Sequence, residues 1–348
     1  MNFILTRCYL VGSDISFQPH FSYSTRGRLF SLIKSLSVMA NQNINNQDFS
    51  FLAGILSAFL CILFGSNAVA IKLAFGGVGV FTTAAIRFSI AAITIFLWAR
   101  IAGQSIGLKK GQLQQVLILG AIFAIQLSMF YLGLSKSNAS RGTLIANLLP
   151  FWILFLAHFF IPGDRITGRK FFGILLGFGG VAFMFAEKKG VTAGLRTGDL
   201  IILSATVIWA CNVIYLKRII GSFNSFQVTF YSMIFSVPVF FVEALLWDRS
   251  MIFKLNLQVV GAVLYQSLVT AAFGFVAWNT LLKKYGAVAL HSFIFIMPIA
   301  GVALGGLVLG EPITFKILIA LALIVAGILV VHLIPHKEAS LYPIRKGI

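Results

Sequence analysis

From residue 51 to residue 334 the chain is a succession of long apolar runs separated by short polar breaks. A bilayer core about 30 Å thick needs about 20 predominantly apolar residues per helical span, and the runs have that length. They predict helices over 51–73, 78–100, 113–134, 141–161 and 170–187, then over 198–217, 225–247, 258–281, 286–309 and 313–334. The predicted fold class is therefore all-α integral membrane, with ten transmembrane helices. The connections are short and leave no room for a soluble domain. Residues 1–50 form a polar extension without a span-length run, and residues 335–348 a short tail.

A spacing near 147 residues recurs along the chain. Leu56-Ser57-Ala58 in the first span is matched by Leu203-Ser204-Ala205 in the sixth. Phe64-Gly65-Ser66-Asn67 with Lys72 is matched by Trp209-Ala210-Cys211-Asn212 with Lys217, and Pro150 by Pro298. Gly163-Asp164-Arg165-Ile166-Thr167 corresponds to Gly310-Glu311-Pro312-Ile313-Thr314, and Gly180 to Gly327. The pattern divides the chain into two five-helix repeats, 51–187 and 198–334. Five is odd, so the second repeat enters the membrane from the opposite side. Inverted repeats of this kind are the plan of many secondary transporters, whose substrate site lies at the repeat interface near mid-bilayer.

Composition sharpens the picture. Of the 348 residues, 59% are hydrophobic and 10% charged, against the roughly 25% charged residues of a soluble domain. A net charge of +18 would suggest nucleic acid in a soluble protein. Here the Lys and Arg residues stand at the ends of apolar runs, where they face anionic lipid heads, so no nucleic-acid partner is expected. With the N-terminus inside, 17 of the 27 basic residues fall on the cytoplasmic side and 9 on the other, Arg141 among the latter, with Arg87 inside a span. That asymmetry predicts both termini in the cytoplasm. Residues 1–38 lack a signal-peptide cleavage pattern and are expected to be disordered, Met39 reading as an equally natural start.

The aromatic-small-x-Asn followed by Lys in spans one and six resembles the drug/metabolite transporter superfamily, specifically its EamA-type ten-helix members. So do Arg87-Phe88 in span two and the Gly-acid-x-Ile-Thr endings of spans four and nine, with Asp164 standing in the first half where Glu is usual. The resemblance covers residues 51–334. It implies a multi-pass transporter of the cell inner membrane moving small polar or amphipathic metabolites, such as amino-acid-like solutes, with export the commoner direction.

Arg87 is the most informative single residue. A charge at mid-span costs on the order of 3 kcal/mol or more, so it faces protein or a watered cavity. It is either pinned by backbone carbonyls or an acid such as Glu311, or it lines the pathway. Asn67 and Asn212 occupy matching positions in spans one and six, and Gln126 and Gln266 roughly matching depths in spans three and eight. Asn147 precedes Pro150 by three residues, and His291 precedes Pro298 by seven. Intramembrane polar side chains usually satisfy one another across helix interfaces; the family resemblance implies instead that together these line a central cavity, with Tyr131, Trp278 and Asn279 adding walls. The two prolines each remove a helix hydrogen bond, giving a static bend or a gating point. Gly173 and Gly177, and Gly301, Gly305, Gly306 and Gly310, mark close helix packing within the bundle or a homodimer seam.

Several chemistries lack their residues. Gly163 to Lys170 reads Gly-x4-Gly-Arg-Lys and misses the Gly-Lys-Ser/Thr ending of a P-loop. No His pair with a carboxylate suggests a metal, no cofactor is expected, and Cys8, Cys61 and Cys211 have no metal or redox spacing. Intramembrane acids are expected at Glu243 and Glu311 alone, both near span ends. The leading reading is a secondary transporter working by alternating access. Its competitors are an intramembrane lipid-modifying enzyme, which would need a nucleophile–base or metal constellation, and a non-transporting scaffold.

Overall fold

A computed structural model describes residues 50–160, 166–186 and 192–332, apart from the side chains of residues 286–289, 291 and 332. The expectations for residues 1–38, for Asp164 and for the 335–348 tail fall outside it. Among the described residues the chain is all-helical, with a lone bridge between Val78 and Ile252.

The first span is α1 (Phe51–Gly65) and α2 (Asn67–Ala74), kinked at Ser66; α3 (Val80–Ile101) and α4 (Gln112–Lys136) follow. The fourth span is broken into α5 (Ala139–Ala146) and α6 (Leu149–Phe160), and α7 (Gly168–Phe185) completes the first half. Then come α8 (Ala193–Ile219), α9 (Ser225–Trp247) and α10 (Leu257–Leu264). A π-helical segment, Tyr265–Gly274, joins α10 to α11 (Phe275–His291), before α12 (Ile296–Leu309) and α13 (Phe315–His332). Among the described residues eight helical stretches are long and apolar enough to cross a membrane, from Phe51–Ala74 to Leu257–Tyr285. Two shorter apolar helices, Ile296–Leu309 and Phe315–Val331, come after them.

The helices start where the sequence supplies acceptors for free N–H groups. Thr192 caps α8, Asn256 caps α10, and Asn224 forms a capping box with Gln227 on α9. Two caps are not local. Asp248, at the end of α9, accepts from Thr82 N at 2.8 Å on α3. Glu311 accepts from Ala139 N and Ser140 N at 2.6 and 2.8 Å on α5.

Both broken helices restart just before a proline. Pro150 is the second residue of α6 and Pro298 the third of α12. A missing N–H costs nothing in a first turn, so the prolines begin new helices instead of kinking continuous ones. At the break Asn147 Nδ2 donates to Thr143 O at 2.8 Å, beside the backbone bond that this carbonyl accepts from Asn147 N. For the same reason the loop expected after residue 281 is absent. α11 runs on to His291 and the chain turns at 292–295, directly ahead of Pro298.

Burial is the reverse of a soluble protein's. Leu245, Leu307 and Phe315 are 72%, 83% and 76% exposed, whereas Arg87, Gln126 and Gln266 are buried. An apolar exterior around a polar interior belongs in lipid; this is a multi-pass membrane protein. Its helices meet through glycine. A Cβ on Gly133 of α4 would stand 2.8 Å from Gly198 O on α8, and one on Gly173 of α7 would stand 2.9 Å from Gly327 O on α13. Gly177 faces Phe151, Gly301 faces Thr143 and Gly305 faces Ser140. These small-residue faces are thus occupied by neighbouring helices of the same chain. Gly310 closes α12 at φ +64°, a left-handed conformation that other residues adopt with strain.

Candidate functional site

Four spans converge on Arg87, which is 3% exposed. Its Nη1 donates to the Tyr131 hydroxyl of α4 at 3.0 Å, and its Nη2 to Thr270 Oγ1 of the π segment at 3.2 Å. Tyr131 donates in turn to Gln266 Oε1 at 3.2 Å. Gln266 Nε2 reaches Ala70 O of α2 at 3.1 Å. The Thr270 hydroxyl lies within donating distance of Asn67 Oδ1, 3.1 Å, and Gln266 O, 2.8 Å. Nε of Arg87 is buried without a partner. The side chain is therefore held by hydroxyls, and by neither backbone carbonyls nor Glu311. Three of these spans come from the chain's first half and one from its second. Because Asp248 starts α3 at Val80, Arg87 is seven residues from that end, about 10 Å at 1.5 Å per residue. That is nearer the start of its helix than the expected 78–100 span would place it.

The π segment helps assemble this group. π-helical turns interrupt regular bonding and are frequent at functional positions. Here Tyr265, at the start of the segment, reaches across to the kink of the first span. Its hydroxyl is 2.6 Å from Ser66 Oγ and 3.3 Å from Leu63 O. A side chain inserted at a helix distortion is a recognised cause of a kink, and the interruption at Ser66 lies one residue before Asn67, which meets Thr270.

Two layers enclose the group. One turn beyond Tyr131 lies a layer of charge. Lys72 Nζ donates to Leu134 O and Ser137 O at 3.2 and 2.8 Å, closing the end of α4. Arg141 donates from Nε to Asp199 Oδ2 at 2.8 Å, with a second bond from Nη2. Ser137 Oγ donates to the other Asp199 oxygen. Glu311, already on the α5 N-terminus, also accepts from Ser140 Oγ at 2.6 Å. These contacts join the two halves of the chain, Asp199 and Glu311 coming from the second. On the other side lies an aromatic layer. Phe88 stacks on Phe240 at 5.4 Å and meets Phe123 at 5.3 Å, and Phe64 packs against Phe275 and Trp278.

A buried polar group thus lies among charged and aromatic side chains inside a bundle whose exterior is apolar. Comparison with known proteins decides the family. The sequence profile of the EamA-like transporter family matches residues 52–186 and again residues 196–333. The chain belongs to the EamA-like transporter family. A probable amino-acid metabolite efflux pump of Escherichia coli is 25% identical over 288 residues, 79% of this chain and 93% of that protein. An uncharacterized transporter of Archaeoglobus fulgidus is 26% identical over 280 residues, 80% of this chain and 97% of its own. A solved crystal structure superposes at a TM-score of 0.62 with 21% identity, covering 82% of this chain and 98% of the other, which marks a shared fold.

Of the residues singled out from sequence, this EamA-like chain brings Asn67, Arg87, Tyr131 and Gln266 into one network. The others are elsewhere. Asn279 donates to Thr229 Oγ1 at 3.0 Å, a bond between the eighth span and α9. Asn147 serves the break in the fourth span, and Trp278 packs on Phe64. Gln126 and Asn212 are buried, each with one atom lacking a partner, Oε1 and Nδ2. The side chain of His291 lies outside the described residues. Thr270 escaped the sequence reading, though its place four residues after Gln266 puts the two on one helical face. Asp199 was missed as well, and it corrects the expectation that Glu243 and Glu311 are the only intramembrane acids. An acid inside a span-length apolar run was itself the signal. Arg141 is correspondingly a buried partner, at 2% exposure, and no loop charge.

Proposed function

We propose that the protein is a secondary transporter that moves small polar or amphipathic metabolites by alternating access. Its cargo is amino-acid-like, and its direction is outward. The observation that carries this reading is the Arg87 network, a buried polar group drawn from both halves of a bundle whose exterior is apolar. Glue alone needs pairs of residues; a five-residue group holding an unspent guanidinium donor leaves hydrogen-bonding capacity for a guest. The name of the E. coli relative supports the amino-acid class.

The reading includes ten transmembrane helices as two inverted five-helix repeats, 51–187 and 198–334, in the cell inner membrane with both termini cytoplasmic. The double match of the family profile supports it, as do the two short apolar helices that bring the total to ten. So does the shared plan of spans four and nine, each restarting ahead of its proline. Cysteine substitutions at Asn67 and Gln266, in a chain cleared of its own thiols, test the pathway. They should react with small hydrophilic thiol reagents in intact membranes. Full protection from reagent on both sides of the membrane, in a protein that accumulates normally, would mean that the group is only structural.

A further inference from the structure

Arg87 carries a full positive charge into the bundle, and the side chains that hold it are neutral. Tyr131 and Thr270 each receive one of its hydrogen bonds, and Nε receives no acceptor. The four acids among the described residues are committed elsewhere. Asp199 binds Arg141 and Ser137, Glu311 binds the start of α5, Asp248 binds the start of α3, and Glu243 accepts from Ser128 at 2.6 Å. Besides the two hydroxyls the guanidinium lies over the Phe88 ring, 4.9 Å from its centroid, so the buried cation has its polar contacts partly met and no anion beside it among the described residues. A guest that supplied a negative oxygen would complete both. The guanidinium edge bearing Nε is where a planar anion binds an arginine side-on, and on that edge Nε is unspent.

The charge count narrows the guest. Lys72 is drawn to the end of α4, and Arg141 is spent on Asp199. The position 147 residues after Arg87 is Ile234, so the second half contributes no matching cation there. One cation suits one negative charge. A carboxylate fits, whereas a doubly charged phosphate monoester would remain under-neutralised.

Resting on the transporter reading above, we propose that Arg87 is the counter-ion for a single carboxylate on the transported solute. The guest's carboxylate docks on Nε and Nη of Arg87, with Tyr131, Gln266, Thr270 and Asn67 around it. Selectivity for the acid over its neutral relatives is set at this residue. An amide or an amine of the same skeleton offers no charge to the guanidinium, and the amine adds a repelling one.

The test uses the full-length protein in phosphatidylethanolamine–phosphatidylglycerol vesicles. They are loaded with an equimolar mixture of amino acids, the corresponding primary amides and the corresponding decarboxylated amines. Release is followed by mass spectrometry against protein-free vesicles. The acids should leave faster than amides and amines of the same side chain, by on the order of tenfold or more, the scale of one charge-assisted hydrogen bond. Arg87→Gln should erase that preference by slowing the acids to the rate of the amides, and Arg87→Lys should restore part of it. Equal release of acids and amides by the wild-type protein overturns the carboxylate assignment and leaves transport standing. Release that rises and falls with chloride for acids and amides alike makes the inorganic ion the occupant, and overturns it too. Release of no compound sinks the transport reading and this inference with it. The wild-type comparison needs no variant, so poor accumulation of Arg87→Gln does not blunt it.

Discussion

Asp199 shows how much a single side chain can decide in this protein. Its carboxylate, fully buried, takes two hydrogen bonds from Arg141 and one from Ser137. Removing one member of a buried pair strands the other's charge, at a cost of about 3–5 kcal/mol, while replacing both by apolar residues of similar size is often close to neutral. Asp199→Asn should therefore lower the thermal midpoint of the purified protein markedly. Asp199→Leu combined with Arg141→Met should recover most of the loss. A single variant as stable as the double would show that the pair carries no net charge coupling. The sequence singled out Arg87 because a cation in the middle of an apolar run must face protein or a watered cavity. It announced the Arg141–Asp199 pair far less clearly. Each of those residues stands near a span end, where charges are ordinary, and they are 58 residues apart.

At the scale of elements, helix contact is governed by which face a glycine presents. Gly179 and Gly180 are neighbours on α7, but a Cβ on Gly179 meets nothing within 4 Å, whereas one on Gly180 would lie 2.9 Å from Ala320 O of α13. Gly179→Ala should be neutral or stabilising, by up to about 1 kcal/mol from helix propensity. Gly180→Ala should destabilise, because a backbone oxygen cannot rotate away as a side chain can. Thermal midpoints of the two variants in one detergent give the comparison, and equal midpoints would mean that α7 and α13 do not pack at this point. Sequence spacing marked the small residues and left open whether they served the bundle or a second copy. The described contacts place Gly173, Gly177, Gly301 and Gly305 against helices of their own chain. Prolines were legible as interruptions. Their position in first turns was not, since it depends on where the preceding helix stops.

For the whole molecule the repeat has a consequence that can be measured. On the proposed plan of two five-helix halves inserted in opposite senses, the link between them and the C-terminus lie on opposite sides of the membrane. Reporter fusions at Lys188 and after Ile348 should report opposite compartments, the C-terminal fusion cytoplasmic. Agreement between the two reporters would break the inverted plan. The charged layer of Lys72, Arg141, Asp199 and Glu311 gives that plan mechanical content. Its Arg141–Asp199 and Ser140–Glu311 contacts tie the halves together, and on the proposed transport reading such ties are exchanged when one side opens.

What the sequence determined by itself was the environment. Apolar runs as long as a bilayer is thick leave a chain no alternative to spanning helices, because every backbone polar group in lipid must be satisfied within its own segment. It also determined that Arg87 had to face protein or a watered cavity. The tertiary structure decided which of the polar residues meet. Depth along a helix can be read from a sequence, but azimuth cannot when nearly every neighbour is apolar, and azimuth is what brings Thr270 to Arg87 and sends Asn279 to Thr229. The kink at Ser66, the π segment at Tyr265–Gly274 and the remote cap of Asp248 on α3 shift those azimuths and depths. Each arises from contacts between spans far apart in the chain, so no local pattern could have foretold them.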